Sequence, residues 1–193
     1  MFESRSNRLT FEQETHTYRF DEKVIPSVTQ VMKQASEDHY AGISPQRLAV
    51  AADRGTRVHK AVELYELGIE VIDPEVQPYV TNYRVAKALK KFQPTEQELM
   101  LTNGIFAGTV DMIAELGGQQ VLIDLKATAK FNKDLAEIQL AGYVQLCEYN
   151  GIGINGTYIL HLTKDGHKLH RVTPNYEKWE ELLHAYLSNL SSQ

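Results

Sequence analysis

The chain has 193 residues and a single cysteine, Cys147. That excludes an internal disulfide, a cysteine zinc cluster and a four-cysteine iron–sulfur centre. Long apolar runs are missing too, since nothing approaches the ~20 residues of a membrane helix. The first residues lack the basic-then-apolar pattern of a secretory signal. The expectation is a cytoplasmic protein with no membrane partner. Nor is positive charge in excess: 20 Lys and Arg stand against 25 Asp and Glu, for a net charge of −5. Any nucleic-acid binding must therefore use a local basic strip or a bound metal. No internal repeat, low-complexity tract or linker interrupts the chain.

What is there suits one domain spanning 1–193. Hydrophobic content of 42% and charge of 23% are ordinary for a globular protein of this length. The most informative stretch runs from Gly108-Thr109-Val110-Asp111 to Ile123-Asp124-Leu125-Lys126. It reads as two strands joined by a two-residue turn at Gly117-Gly118. Pairing Leu116 with Gln119 then brings Asp111 opposite Asp124. With period-two alternation, Val110, Met112, Ala114, Leu116, Val121, Ile123 and Leu125 form an apolar core face. The other face carries Thr109, Asp111, Asp124 and Lys126. Carboxylates so opposed, roughly 5 Å apart at Cβ, repel unless a proton or cation lies between them. This reads as a divalent-metal site beside a lysine.

Residues 8–33 predict a hairpin around Asp21-Glu22-Lys23 and a short helix capped by Ser27, together a packing appendage. Residues 34–43 read as loop. Ser44-Pro45 starts a helix that continues to Gly68, with Gly55 as a break or close approach. His59 and Glu63 share one face of it, and the carboxylates elsewhere favour a metal role for His59 over a satisfied core histidine. Asp73-Pro74 repeats the helix-start signal, ahead of a stripe that includes Tyr79, Tyr83, Val85, Leu89 and Phe92. Its basic side (Arg84, Lys87, Lys90, Lys91) reads first as solvated surface, with phosphate tracking the alternative. Thr95–Leu101 reads as a strand, and a two-residue turn at Asn103-Gly104 would set Glu98 opposite Thr109 and Glu96 opposite Asp111. A helix from Asn132 or Asp134 to Asn150 pairs Gln139 with Tyr143. A hairpin around Asp165-Gly166 and a helix over 175–190 complete the chain. The fold class expected is α/β: a catalytic core over 44–172, with a central mixed sheet flanked by helices.

The candidate site is thus His59, Asp111, Asp124 and Lys126, with Glu63, Glu96 and Glu98 as further ligands or supports. Oxygen-rich ligation with one imidazole favours Mg²⁺ or Mn²⁺, as one ion or two. Such an ion polarises a phosphoryl oxygen and acidifies a bound water, and a lysine offsets developing charge.

The order and spacing of these parts resemble the PD-(D/E)XK nuclease superfamily, in its RecB-like exonuclease branch. The matching residues are Arg54-Gly55-Thr56-Arg57-Val58-His59, Gly108-Thr109-Val110-Asp111, Ile123-Asp124-Leu125-Lys126 and Gln139-Leu140-Ala141-Gly142-Tyr143. His16-Thr17-Tyr18 through Pro26-Ser27-Val28-Thr29 is similar to phage and mitochondrial members. The resemblance covers most of 8–165 and implies a restriction-endonuclease-like core. It implies a metal held by His59, Asp111, Asp124 and the Leu125 carbonyl, with Lys126 as catalytic lysine. Gln139, Tyr143, Arg54 and Lys130 become substrate contacts, or, for the first two, braces for the lysine. Val110 stands where the superfamily's name has proline. With no four-cysteine cluster and no helicase motor, the likeness is to stand-alone phage-type exonucleases. The resemblance implies linear DNA with ends as partner, in bacterial or phage-infected host cytoplasm. Homo-oligomeric rings, monomers and a single-strand annealing or recombination partner all stay open. The alternatives are an endonuclease of restriction or junction-resolving type and a non-cleaving DNA-binding module.

Overall fold

The structure, a computed structural model, describes residues 8–190. Its centre is a five-stranded mixed sheet in the order β4-β5-β6-β7-β8. The strands are β4 (Gln93–Thr102), β5 (Ala107–Leu116), β6 (Gln119–Lys126), β7 (Gly156–Leu162) and β8 (His167–Arg171). Only β6 and β7 run parallel, and helix α5 (Lys133–Tyr149) makes the crossover between them. A smaller antiparallel sheet, β1 (Leu9–Glu12), β2 (Thr17–Phe20) and β3 (Lys23–Ile25), precedes it. Of the described residues, no helix is long and apolar enough to cross a membrane.

Both faces of the central sheet are buried, which departs from the single core face expected. Ile113, Leu122 and Ile159 pack under α5, α1 (Val28–Val31) and α6 (Tyr176–Leu190). Met112, Ala114, Val121, Ile123 and Leu160 pack under α3 (Pro45–Glu66) and α4 (Gln77–Lys90). Central strands covered by helices on both sides need apolar residues on both, and only the ends of β5 and β6 are left to carry polar groups.

The central hairpin has the expected register, Leu116↔Gln119 through Met112↔Ile123, with Gly117 and Gly118 at φ +61° and +75° as its turn requires. The preceding turn differs. Asn103 Oδ1 accepts the N–H groups of both Ile105 and Phe106, and this side-chain turn lengthens the loop. Pairing resumes at Thr102↔Ala107, two residues from the expected register. Met100 therefore faces Thr109, Glu96 faces Ile113, and Glu98 is bracketed with Asp111 between Gln97↔Met112 and Leu99↔Val110.

Other departures have local causes. The N-terminal region has three strands, with Asp21 and Glu22 in left-handed conformation at the second turn. Residues expected as loop form α2 (Lys33–Tyr40), which buries no side chain and so shows no apolar stripe to read. It is held by polar contacts such as Gln34 to Asp38 and His39 to Asn132. Helix α3 runs unbroken through Gly55, where an added Cβ would meet nothing. Asp73 caps the turn ahead of α4, its Oδ1 accepting the Glu75 N–H and its carbonyl the Gln77 N–H, while Oδ2 binds Arg57; α4 itself starts at Gln77. Val85 and Leu89 point outward from it.

The glycine of α5, Gly142, is required by packing. A Cβ there would lie 3.0–3.1 Å from the Trp179 ring of α6, itself fully buried against Phe106. Gly142→Ala is expected to destabilise the protein by about 1–3 kcal/mol through overpacking. Gly55→Ala, in open helix, should stabilise it by about 0.5–1 kcal/mol. Urea unfolding followed by Trp179 fluorescence reads both.

Candidate active site

Asp111 sits where β5 and β6 part. Beyond Met112↔Ile123 the ladder stops, and the Leu125 N–H donates to Asp111 Oδ2 at 2.7 Å. The carboxylate thus takes the place of a strand carbonyl. Side-chain alternation breaks at the same point: Val110 joins the α5 layer and Met112 the α3/α4 layer. On β4 the residue bracketed with it, Glu98, has φ +46°. Such irregularities re-aim side chains, and here they turn Glu98 toward Asp111.

His59 reaches this point from α3. Its Nε2 is 3.1 Å from the Leu125 carbonyl, which can only accept, so that nitrogen carries the donated proton. Its Nδ1 therefore faces the carboxylates, 3.4 Å from Asp111 Oδ1 and 3.8 Å from Glu98 Oε1. Ligand atoms of His59, Glu98 and Asp111 all lie within 4.8 Å of one another, which is the spacing of a metal-binding group. Asp124 is not a member of this trio. It lies beside it, buried to 1% exposure, with Oδ2 2.8 Å from Lys126 Nζ. That contact is a close ion pair, and no donor besides Lys126 reaches Oδ2.

Charges here are strongly coupled. Burial raises the Asp124 carboxyl, Asp111 adds to the rise and Lys126 opposes it, leaving it at about 6. Burial also works against ionised Asp111, but His59, Lys126 and the Leu125 N–H outweigh it and hold it low. For His59, burial disfavours the cation, yet Asp111, Glu98 and Asp124 together raise it well above the ordinary imidazole value. Lys126 is likewise raised by Asp124 and Asp111 against the cost of burial.

Lys126 Nζ donates to Gln139 Oε1 at 2.7 Å, and Gln139 Nε2 donates to Tyr143 Oη at 3.1 Å. Tyr143 is buried, so it anchors this chain within the fold. Gly108 is shaped to it, since a Cβ there would stand 2.9 Å from the Tyr143 ring. Of the remaining candidates, Glu63 pairs with Lys60, Glu96 is exposed on β4, and Lys130 is exposed on the segment after β6. Arg54 Nε donates to the Ala127 carbonyl. Cys147 is buried, and burial with Glu148 pushes its thiol up to about 12, far from a nucleophile. Reasoning from sequence missed Tyr18, whose hydroxyl lies 2.7 Å from Thr109 Oγ1. Its place in the His16-Thr17-Tyr18 motif was the only signal.

No protein-family model matches the sequence, and no curated protein does. Among solved structures, the fold is similar to an alkaline exonuclease (LHK-Exo) from Laribacter hongkongensis. The identity is 11%, 87% of this chain and 88% of that chain are covered, and the TM-score is 0.49. A phage related exonuclease from Haemophilus somnus 129PT is also similar, at 11% identity, 87% and 95% coverage and a TM-score of 0.43. A third, SSO0001, has 12% identity, 82% and 84% coverage and a TM-score of 0.36. With identities this low and TM-scores below 0.5, the functional reading is left to the site itself.

The buried pair makes a prediction about stability. A carboxyl whose folded pKa exceeds its unfolded value of about 3.9 binds more protons when folded, so stability falls as pH rises between the two. Lys126→Met removes the cation that limits the rise and strands the carboxylate. The variant should lose about 3–5 kcal/mol at neutral pH and recover much of it near pH 5. Asp124→Asn in that background should remove the Asp124 share of the pH slope and leave that of His59. Urea midpoints between pH 5 and pH 8 measure it.

Proposed function

We propose that this protein is a divalent-metal-dependent deoxyribonuclease of PD-(D/E)XK type, acting on linear DNA from its ends. The observation that carries the reading is the trio of His59, Glu98 and Asp111 at the splayed end of β5 and β6, with Lys126 and Asp124 alongside. One imidazole and two carboxylates within 4.8 Å fit a hard divalent ion. The buried Asp124 Oδ2, engaged by Lys126 alone, adds an acceptor next to them. His59 Nδ1, Glu98 and Asp111 would hold Mg²⁺ or Mn²⁺, with Asp124 facing it from the lysine side. The Leu125 carbonyl accepts the His59 Nε2 proton and so fixes the ring, a usual arrangement for a ligating histidine.

A bound ion would polarise the scissile phosphate and acidify a water. The chain's own groups do the rest. Lys126, aimed by Gln139 and Tyr143, places a cation where charge develops on the phosphoryl oxygens. Asp124 holds that ammonium at 2.8 Å and accepts a proton readily, its carboxyl being raised to about 6. The resemblance in sequence order supports DNA as substrate and an end-directed mode.

With Mg²⁺ or Mn²⁺, the protein should consume linear DNA and leave a covalently closed circle intact. Asp111→Ala and Lys126→Ala should each lower the rate on the order of a hundredfold or more. Full activity in either variant, or activity surviving EDTA, would refute the assignment, and a cut circle would move it to the endonuclease class.

Metal binding should also be proton-linked. The neighbouring carboxylates keep His59 protonated, and a ligating imidazole must be neutral. Mn²⁺ affinity should therefore rise with pH. Calorimetry in buffers of different ionisation enthalpy should show protons released, and the release should fall sharply in His59→Ala.

A further inference from the structure

Lys126 is the last residue of β6, and the segment after it has no ladder to hold it. Two successive carbonyls of that segment are nonetheless tied to other elements. Arg54 on α3 donates to Ala127 O at 3.1 Å, and His161 Nε2 on β7 lies 2.6 Å from Thr128 O. The carbonyl only accepts, so the imidazole donates. His161 is also the residue paired with Lys126 across the parallel ladder. Its ring meets Phe131 nearly edge-on at 5.5 Å between centroids, and His170 of β8 meets the same ring at 4.9 Å. Thr128 and Phe131, with Tyr40 and Asn132, line a cavity of about 130 Å³ that has Lys126 in its wall.

We propose that His161 is a positioning residue for Lys126, clamping residues 128–131 so that the lysine and the adjoining cavity wall keep one geometry. The proposal rests on the nuclease reading, in which Lys126 meets the scissile phosphate. A lysine side chain has four rotatable bonds, so its ammonium is only as well placed as its backbone and its partners. Gln139 fixes the tip, and His161 fixes the base through the Thr128 carbonyl. An imidazole that only filled space would be replaceable by any ring, whereas a clamp requires the donor.

The test compares His161→Phe, which keeps a ring and loses the donor, with His161→Gln, whose amide nitrogen can restore it. In His161→Phe, kcat on linear DNA should fall on the order of tenfold or more, with KM and Mn²⁺ affinity within about twofold of wild type. Amide exchange across residues 128–131 should accelerate. His161→Gln should restore both, and His170→Phe should leave both unchanged. A His161→Phe protein as fast as wild type, or a His161→Gln protein as slow as His161→Phe, would overturn the proposal. Because amide exchange and metal binding are read without turnover, inactive wild-type protein would refute the nuclease reading, while the exchange data would still decide whether the clamp exists.

Discussion

One hydrogen bond organises the functional end of the molecule: the Leu125 N–H to the Asp111 carboxylate. In a continuing ladder that N–H would go to a backbone carbonyl. A side chain in its place ends the pairing of β5 with β6 and keeps the buried donor satisfied. The strands part there, and His59 enters the gap to take the Leu125 carbonyl on the same residue. Both polar groups of one peptide segment are thus used to position two of the three metal-capable side chains.

The electrostatics follow from placing two acids, Asp111 and Asp124, and two bases, His59 and Lys126, where water is scarce, with Glu98 at the exposed edge. Isolated, each would be driven to neutrality. Together, Asp111 stays ionised because His59 and Lys126 are cationic, and the two cations persist because the carboxylates are close. Asp124 carries the residual imbalance as a raised carboxyl. A divalent ion would relieve the same imbalance by replacing the proton on His59. Like charges are thus held close together, and the fold around them needs rigidity to keep them there. Burial on both faces of the sheet and the packing of α5 through Gly108 and Gly142 supply that rigidity.

Much of this was legible in the chain. The Gly-Gly turn and the alternation on either side set the β5–β6 register correctly, because a two-residue turn leaves no freedom in pairing. Helix starts with a capping residue, at Ser44, Asn132 and Asn175, were also readable. Helix α2 was not, since it has no apolar stripe and depends on contacts from elsewhere. The β4–β5 register was missed by two residues because the Asn103 side chain builds a longer turn than Asn-Gly usually makes. A two-residue turn would set Glu96 opposite Asp111, and the longer turn sets Glu98 there instead.

By itself, then, the sequence determined the mixed α/β architecture, the central hairpin and the identity of the groups available for chemistry. All of these depend on short-range periodicity and turn geometry, which a linear chain carries openly. Only the tertiary structure decided which carboxylate joins His59, which nitrogen of that ring faces the metal-capable group, and that Asp124 sides with Lys126. Those outcomes depend on where strands stop pairing and on a left-handed residue at Glu98. They are set by competition for buried hydrogen bonds among residues far apart in the chain, which no local pattern encodes.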